Sequence, residues 1–133
     1  MAKVLLIDFD GTIVEHCFPR IGEPLPNAFE TLIDLKKAGY KLILWTCRED
    51  YGFNINKQYL TAAVNFCREM GVEFDAVNEA LMEEDFRPED CIKRKPYSHW
   101  SIDDRNLGGF PGWDWVRSLL LPNNPAKIGR AHV

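Results

Sequence analysis

Four short apolar runs punctuate the chain, and between them apolar residues recur at helical spacing. Residues 3–9 hold the run Val4-Leu5-Leu6-Ile7, aliphatic and unbroken, which predicts a strand buried on both faces. Residues 41–45, 72–77 and 100–103 predict three more strands by the same reasoning. Pro26-Asn27 opens a helix that carries Phe29, Leu32, Ile33 and Leu35 on one side and stops at Gly39, where a left-handed cap suits glycine. A second helix is expected from Asn56 or Lys57 to Gly71, with Leu60, Ala63, Val64, Cys67 and Met70 on one face. A third covers residues 113–121. The connections carry the breakers. Pro19, Gly22 and Pro24 make residues 11–25 a structured loop or small hairpin, residues 48–56 form a polar loop, and residues 79–90 form an acidic loop with some helical turn. Strands alternating with helices predict an α/β fold, a Rossmann-like three-layer arrangement around a parallel sheet.

Length makes this one domain, since 133 residues can bury a single sizeable core but not two. No repeat, low-complexity stretch or linker divides it. Residues 1–126 read as the domain and residues 127–133 as a non-native tail. One back-translation of residues 128–133, ATC GGA AGA GCA CAC GTC, reproduces the start of a common sequencing adapter. A net charge of −4 without any Lys/Arg stripe argues against general nucleic-acid binding through phosphate neutralisation. Cys17, Cys47, Cys67 and Cys91 form no C-x-x-C pair, so reduced thiols are expected rather than a zinc site. The apolar run before Asp8 is too short for a signal peptide and no run approaches a membrane span, so the expectation is a cytoplasmic protein.

The chemistry collects at the strand ends, which is where open parallel sheets bind ligands. The first strand ends Asp8-Phe9-Asp10-Gly11-Thr12, the second ends at Thr46, and the fourth ends Asp103-Asp104, with Lys95 just ahead of it. Carboxylates gathered a few ångströms apart resist ionising together, so either a cation joins them or their pKa values rise. A hard, oxygen-preferring ion such as Mg²⁺ resolves the conflict. Asp8 and Asp10, two apart on a strand, can share a face, and Gly11 lets backbone approach a ligand. A nucleophilic carboxylate with a second carboxylate beside it suits two-step phosphoryl transfer, and a hydroxyl and an ammonium would steady the transferring oxygens. Taken singly these residues mean little: a D-x-D is usually turn chemistry, Thr46 a strand end, Lys95 a solvated cation and Asp103-Asp104 a cap. The ordered set carries the signal.

That set resembles the haloacid dehalogenase (HAD) superfamily. Residues 4–12 are similar to its first motif, an apolar strand running into DxDGT. Leu42-Ile43-Leu44-Trp45-Thr46 is similar to the second motif, Lys95 to the lysine of the third, and Ser101-Ile102-Asp103-Asp104 to the paired-aspartate form of the fourth. The resemblance implies a HAD-like fold and a Mg²⁺-dependent phosphohydrolase, a phosphomonoesterase working through an aspartyl-phosphate. Asp8 would be the nucleophile and Asp10 the acid and base, while Thr46 and Lys95 would hold the phosphoryl oxygens. Asp8, Asp10 (through its carbonyl), Asp103 and Asp104 would supply the metal site. Gly11, Thr12, Arg48 and Arg105 are the expected substrate contacts, because arginine binds phosphate oxygens in a bidentate manner. His16 and Arg20 read as solvated loop residues, and Trp113 and Trp115 as packing of the last helix.

Family members carry cap domains after the first motif or between the second and third. Residues 13–45 and 47–94 leave room for neither, so a capless protein is expected. The resemblance then implies a phosphate on a bulky or macromolecular carrier, or a site completed in a homo-oligomer. The alternative is a non-catalytic HAD-like domain that binds a metal or a partner. A receiver domain fits less well, since its phospho-accepting aspartate follows a later strand.

Overall fold

The computed structural model describes residues 2–81 and 96–122. Within them the chain runs β1 (Val4–Ile7), α1 (Ala28–Lys37), β2 (Lys41–Leu44), a 3-10 turn (Ile55–Lys57), α2 (Tyr59–Glu69), β3 (Ala76–Val77), β4 (Trp100–Ile102) and α3 (Trp113–Leu120). The sheet order is β3-β2-β1-β4, and every pairing is parallel. The expected α/β class is therefore observed, with a four-stranded parallel sheet compatible with a Rossmann-like fold.

Leu5, Ile7, Leu42 and Leu44 point to one face of the sheet and share a core with Phe29, Leu32 and Leu35 of α1, Ala63 and Cys67 of α2, and Trp113 and Val116 of α3. Val4, Leu6 and Ile43 alternate to the opposite face, where they pack with Ala76 and Leu81. All three described helices thus lie on one face, and a third layer of helices is not present among the described residues. Handedness accounts for the asymmetry. Steps from β1 to β2 to β3 move one way along the sheet, so right-handed crossovers put α1 and α2 on the same side. The return from β3 past β1 to β4 reverses direction, and the described end of that connection, Leu81, lies on the other face.

Two elements differ from the sequence reading. The third strand is confined to Ala76–Val77 because the Asp75 carboxylate takes the preceding position in the ladder, accepting the Leu42 N–H at 2.8 Å. Helix α2 begins at Tyr59 rather than at residue 56 or 57. There Asn54 caps a tight turn by accepting the Asn56 N–H at 2.9 Å, and Asp50 accepts the N–H and hydroxyl of Thr61. The segment expected as a loop or hairpin, residues 11–25, is a loop closed on itself by Glu15 N–H to Glu23 O at 2.8 Å and Leu25 N–H to Ile13 O at 2.8 Å. No described helix is long and apolar enough to cross a membrane.

Candidate functional site

Register brings the chemistry level. Ile7 pairs with both Leu44 and Ile102, so Asp8, Trp45 and Asp103 all stand one step beyond the paired strands. The Asp8 N–H reaches Ile102 O at 3.0 Å and the Trp45 N–H reaches Ile7 O at 2.8 Å, which carries the ladder to the rim. The chain reverses its order across the sheet between β1 and β4, and a crevice forms at such a switch point.

Asp8 is half-buried and faces Asp104. Burial, a hydrogen bond with the Asp104 carboxyl and the charge of Asp104 together push Asp8 from 3.8 up to about 7, against the opposing bonds from the Phe9 backbone and the Thr12 hydroxyl. The Thr12 hydroxyl donates to Asp8 Oδ2 at 3.2 Å, and its carbonyl accepts the Trp113 indole N–H at 2.7 Å. Gly11 holds φ at +83°, and a Cβ there would sit 2.1 Å from Asp104 Oδ2, so only glycine lets the β1 turn pass under that carboxylate. Thr46 is placed by its own N–H, which donates to Asn78 Oδ1 at 2.8 Å, while its hydroxyl oxygen accepts the Arg48 N–H at 3.1 Å.

Arg48 occupies an unexpected place. It is 2% exposed. Its Nε and one terminal nitrogen donate to the two oxygens of Asp10, each at 2.8 Å. The terminal nitrogens also donate to the carbonyls of Arg20 at 2.9 Å, Pro19 at 3.3 Å and Tyr59 at 3.4 Å. The guanidinium lies between the rings of Phe9 and Phe18, 5.1 Å from each centroid. All five N–H groups are engaged, so Arg48 borders the crevice without a donor left to aim into it.

Two lobes make up the crevice, and both are lined by Asp8, Thr46, Cys47 and Arg105. One, of about 300 Å³, adds Leu6, Trp45 and Asp103. The other, of about 310 Å³, adds Asp10, Asp104, His16, Phe18, Arg48 and Tyr51. Arg105 is exposed, and among the described residues its guanidinium has no hydrogen-bonded acceptor. Asp103 Oδ1 accepts the Arg105 N–H at 2.9 Å, which turns that side chain over the rim.

No family model matches the chain, and no curated protein does. Among solved structures it is similar to a conserved protein from Bacteroides thetaiotaomicron, at 40% identity over 93% of each chain, with a TM-score of 0.76. The chain belongs to the family of that conserved protein.

In this member of the family, Asp8, Asp10, Thr46, Asp103 and Asp104 are brought to one crevice, together with Arg105. Gly11 and Thr12 stand under it as backbone and hydrogen-bond support. Lys95 and Cys91 lie outside the described residues, as does the tail at 127–133. Among the described residues no three His, Cys, Asp or Glu side chains converge as a ready-made metal cage. The donor set still fits Mg²⁺, which keeps several waters and takes one or two carboxylates. The Asp8 carboxyl lies against that of Asp104, where burial and the neighbouring carboxylate raise it to about 7, and the Asp10 carbonyl accepts no bond from a described backbone N–H. Asn78 and Tyr51 escaped the sequence reading. The left-handed φ of 53° at Asn78, uncommon outside glycine, belongs to the turn that aims its side chain at Thr46.

Proposed function

We propose that this protein is a capless, HAD-type, Mg²⁺-dependent phosphomonoesterase. The observation that carries this reading is the half-buried Asp8–Asp104 carboxyl pair beside Thr46 at the sheet's switch point, with Asp10 in the same lobe. Two carboxyls forced together at a crevice call for a cation, and the upward displacement of Asp8 is the mark of a site arranged for chemistry.

In this mechanism a carboxylate oxygen of Asp8 bonds to phosphorus as the phosphorus–oxygen bond to the leaving group breaks. The bonding electrons pass to the leaving oxygen, which takes a proton from Asp10. Water then attacks the aspartyl-phosphate and gives its proton to Asp10, and the Asp8 carboxylate departs to leave inorganic phosphate. Thr46 donates its hydroxyl proton to a phosphoryl oxygen, and Arg105 supplies charge at the rim. Lys95, on the resemblance in sequence, joins them. Bound Mg²⁺, held by Asp8, Asp103 or Asp104 and the Asp10 carbonyl, would offset the negative charge of the phosphoryl group. Asp10 must turn at least one oxygen away from Arg48 to reach the leaving group.

Hydrolysis of p-nitrophenyl phosphate by purified protein tests the proposal. Turnover is expected with Mg²⁺, and should be lost with EDTA and in Asp8→Asn. A folded protein that binds Mg²⁺ and never turns over would instead be a metal-binding domain. The expected cytoplasmic location belongs with this reading.

A further inference from the structure

We infer that the ester's leaving group carries a planar ring, and that the substrate class is nucleoside monophosphates. This rests on the phosphomonoesterase reading and extends it to the other half of the substrate. The two lobes are chemically different. Asp10 borders only the lobe of Phe18 and Tyr51, whereas Asp103 borders only the other. Since Asp10 protonates the leaving oxygen, the leaving group departs into the lobe that Asp10 borders. Phosphoryl oxygens remain at the shared wall of Asp8, Thr46 and Arg105.

That departure lobe has aromatic walls. Phe18 is 46% exposed and Tyr51 49%, although both are large and apolar. Neither ring is loose. Tyr59 meets Phe18 edge-on with centroids 5.3 Å apart and meets Tyr51 edge-on at 5.8 Å. Arg48 stacks on Phe18 as well. Rings held in place yet left open to solvent beside a phosphate site form a stacking surface, since every base offers a π-face. Size favours a nucleoside over a lone aryl group: about 310 Å³ is roughly twice the ~150 Å³ cavity that accepts benzene. His16 also lines this lobe and adds a polar ring to its wall.

Ribose 5-phosphate and adenosine 5′-monophosphate present the same primary ester and differ in the base, so comparing their kcat/KM isolates the ring. The nucleotide is expected to be about tenfold or more better. Tyr51→Ala should shrink that ratio severalfold and Tyr51→Phe should preserve it, with Phe18→Leu as an independent check on the other wall. Faster turnover of a 5′-phosphorylated oligonucleotide would assign the same nucleoside chemistry to chain ends. Equal kcat/KM for the nucleotide and the sugar phosphate in the wild type would overturn the inference while leaving the phosphatase standing. So would equal losses on both in the Tyr51 and Phe18 variants. No turnover of any ester would remove the phosphatase reading and the inference together.

Discussion

At the residue scale, Asp8 and Asp104 are two carboxyls in a space that suits one charge. Asp8 is raised from 3.8 to about 7, so between those values the folded metal-free protein holds a proton that the unfolded chain has released. The sign follows by linkage: the contribution is fully present below about pH 4 and is lost as pH rises through about 7. Urea unfolding in EDTA should therefore show stability falling from pH 5 to pH 8, and Asp8→Asn should flatten that slope. A wild-type slope unchanged by the substitution would mean that Asp8 is not the group holding the proton. Added Mg²⁺ competes with the proton and should bind more tightly at pH 8 than at pH 6. The carboxyl pile-up was legible in the sequence from Asp8, Asp10, Asp103 and Asp104. Which pair would touch was not. Asp10 is drawn off by Arg48, and no spacing rule couples residues 38 positions apart.

At the scale of elements, Arg48 ties three segments together. It leaves the end of β2, fixes Asp10 at the end of β1, and holds the loop carbonyls of Pro19 and Arg20 and the Tyr59 carbonyl at the start of α2. Removing one member of a buried ion pair leaves the other unpaired, so Arg48→Met should cost about 3 kcal/mol in chemical denaturation. Arg48→Lys should recover part of that stability but little of the activity, because an ammonium cannot hold both Asp10 oxygens and three carbonyls. Wild-type stability in Arg48→Met would mean that the pair contributes nothing net. The sequence reading assigned Arg48 to the substrate, reasonably for an arginine just past a strand whose end was expected to hold a phosphate. Its burial depends on the return of the 11–25 loop over β2, and that loop has no periodicity to read.

At the scale of the molecule, one sheet face carries every described helix and the sheet's rim carries the polar chemistry. Cys67 sits in the shared core, where burial pushes its thiol up to about 12, whereas Cys47 is exposed at the crevice. Cys47 should therefore react promptly with a thiol reagent at pH 8, and Cys67 only at the rate of unfolding. Mass spectrometry of labelled peptides separates the two, and prompt labelling of Cys67 would show that the core opens locally. Helix α3 completes the molecule. Its Arg117 pairs with Asp34 of α1 at 2.8 Å, Tyr40 donates to Leu120 O at 2.9 Å, and Trp113 reaches Thr12 beneath the site.

Apolar runs and helical spacing are local properties of the chain, and they determined the α/β class, the strands around Val4–Ile7 and Lys41–Leu44, and the glycine ends of α1 and α2. They also determined that Asp8, Asp10, Thr46 and the Asp103-Asp104 pair would stand at strand ends, because a strand's end follows from where its apolar run stops. Tertiary structure alone decided the rest: the order β3-β2-β1-β4, the capture of Asp10 by Arg48, the support of Thr46 by Asn78, and the aromatic wall of Phe18 and Tyr51 beside Asp10. Each of these joins segments far apart in the chain, and their contacts arise from how the loops return across the sheet rather than from any repeat within a segment.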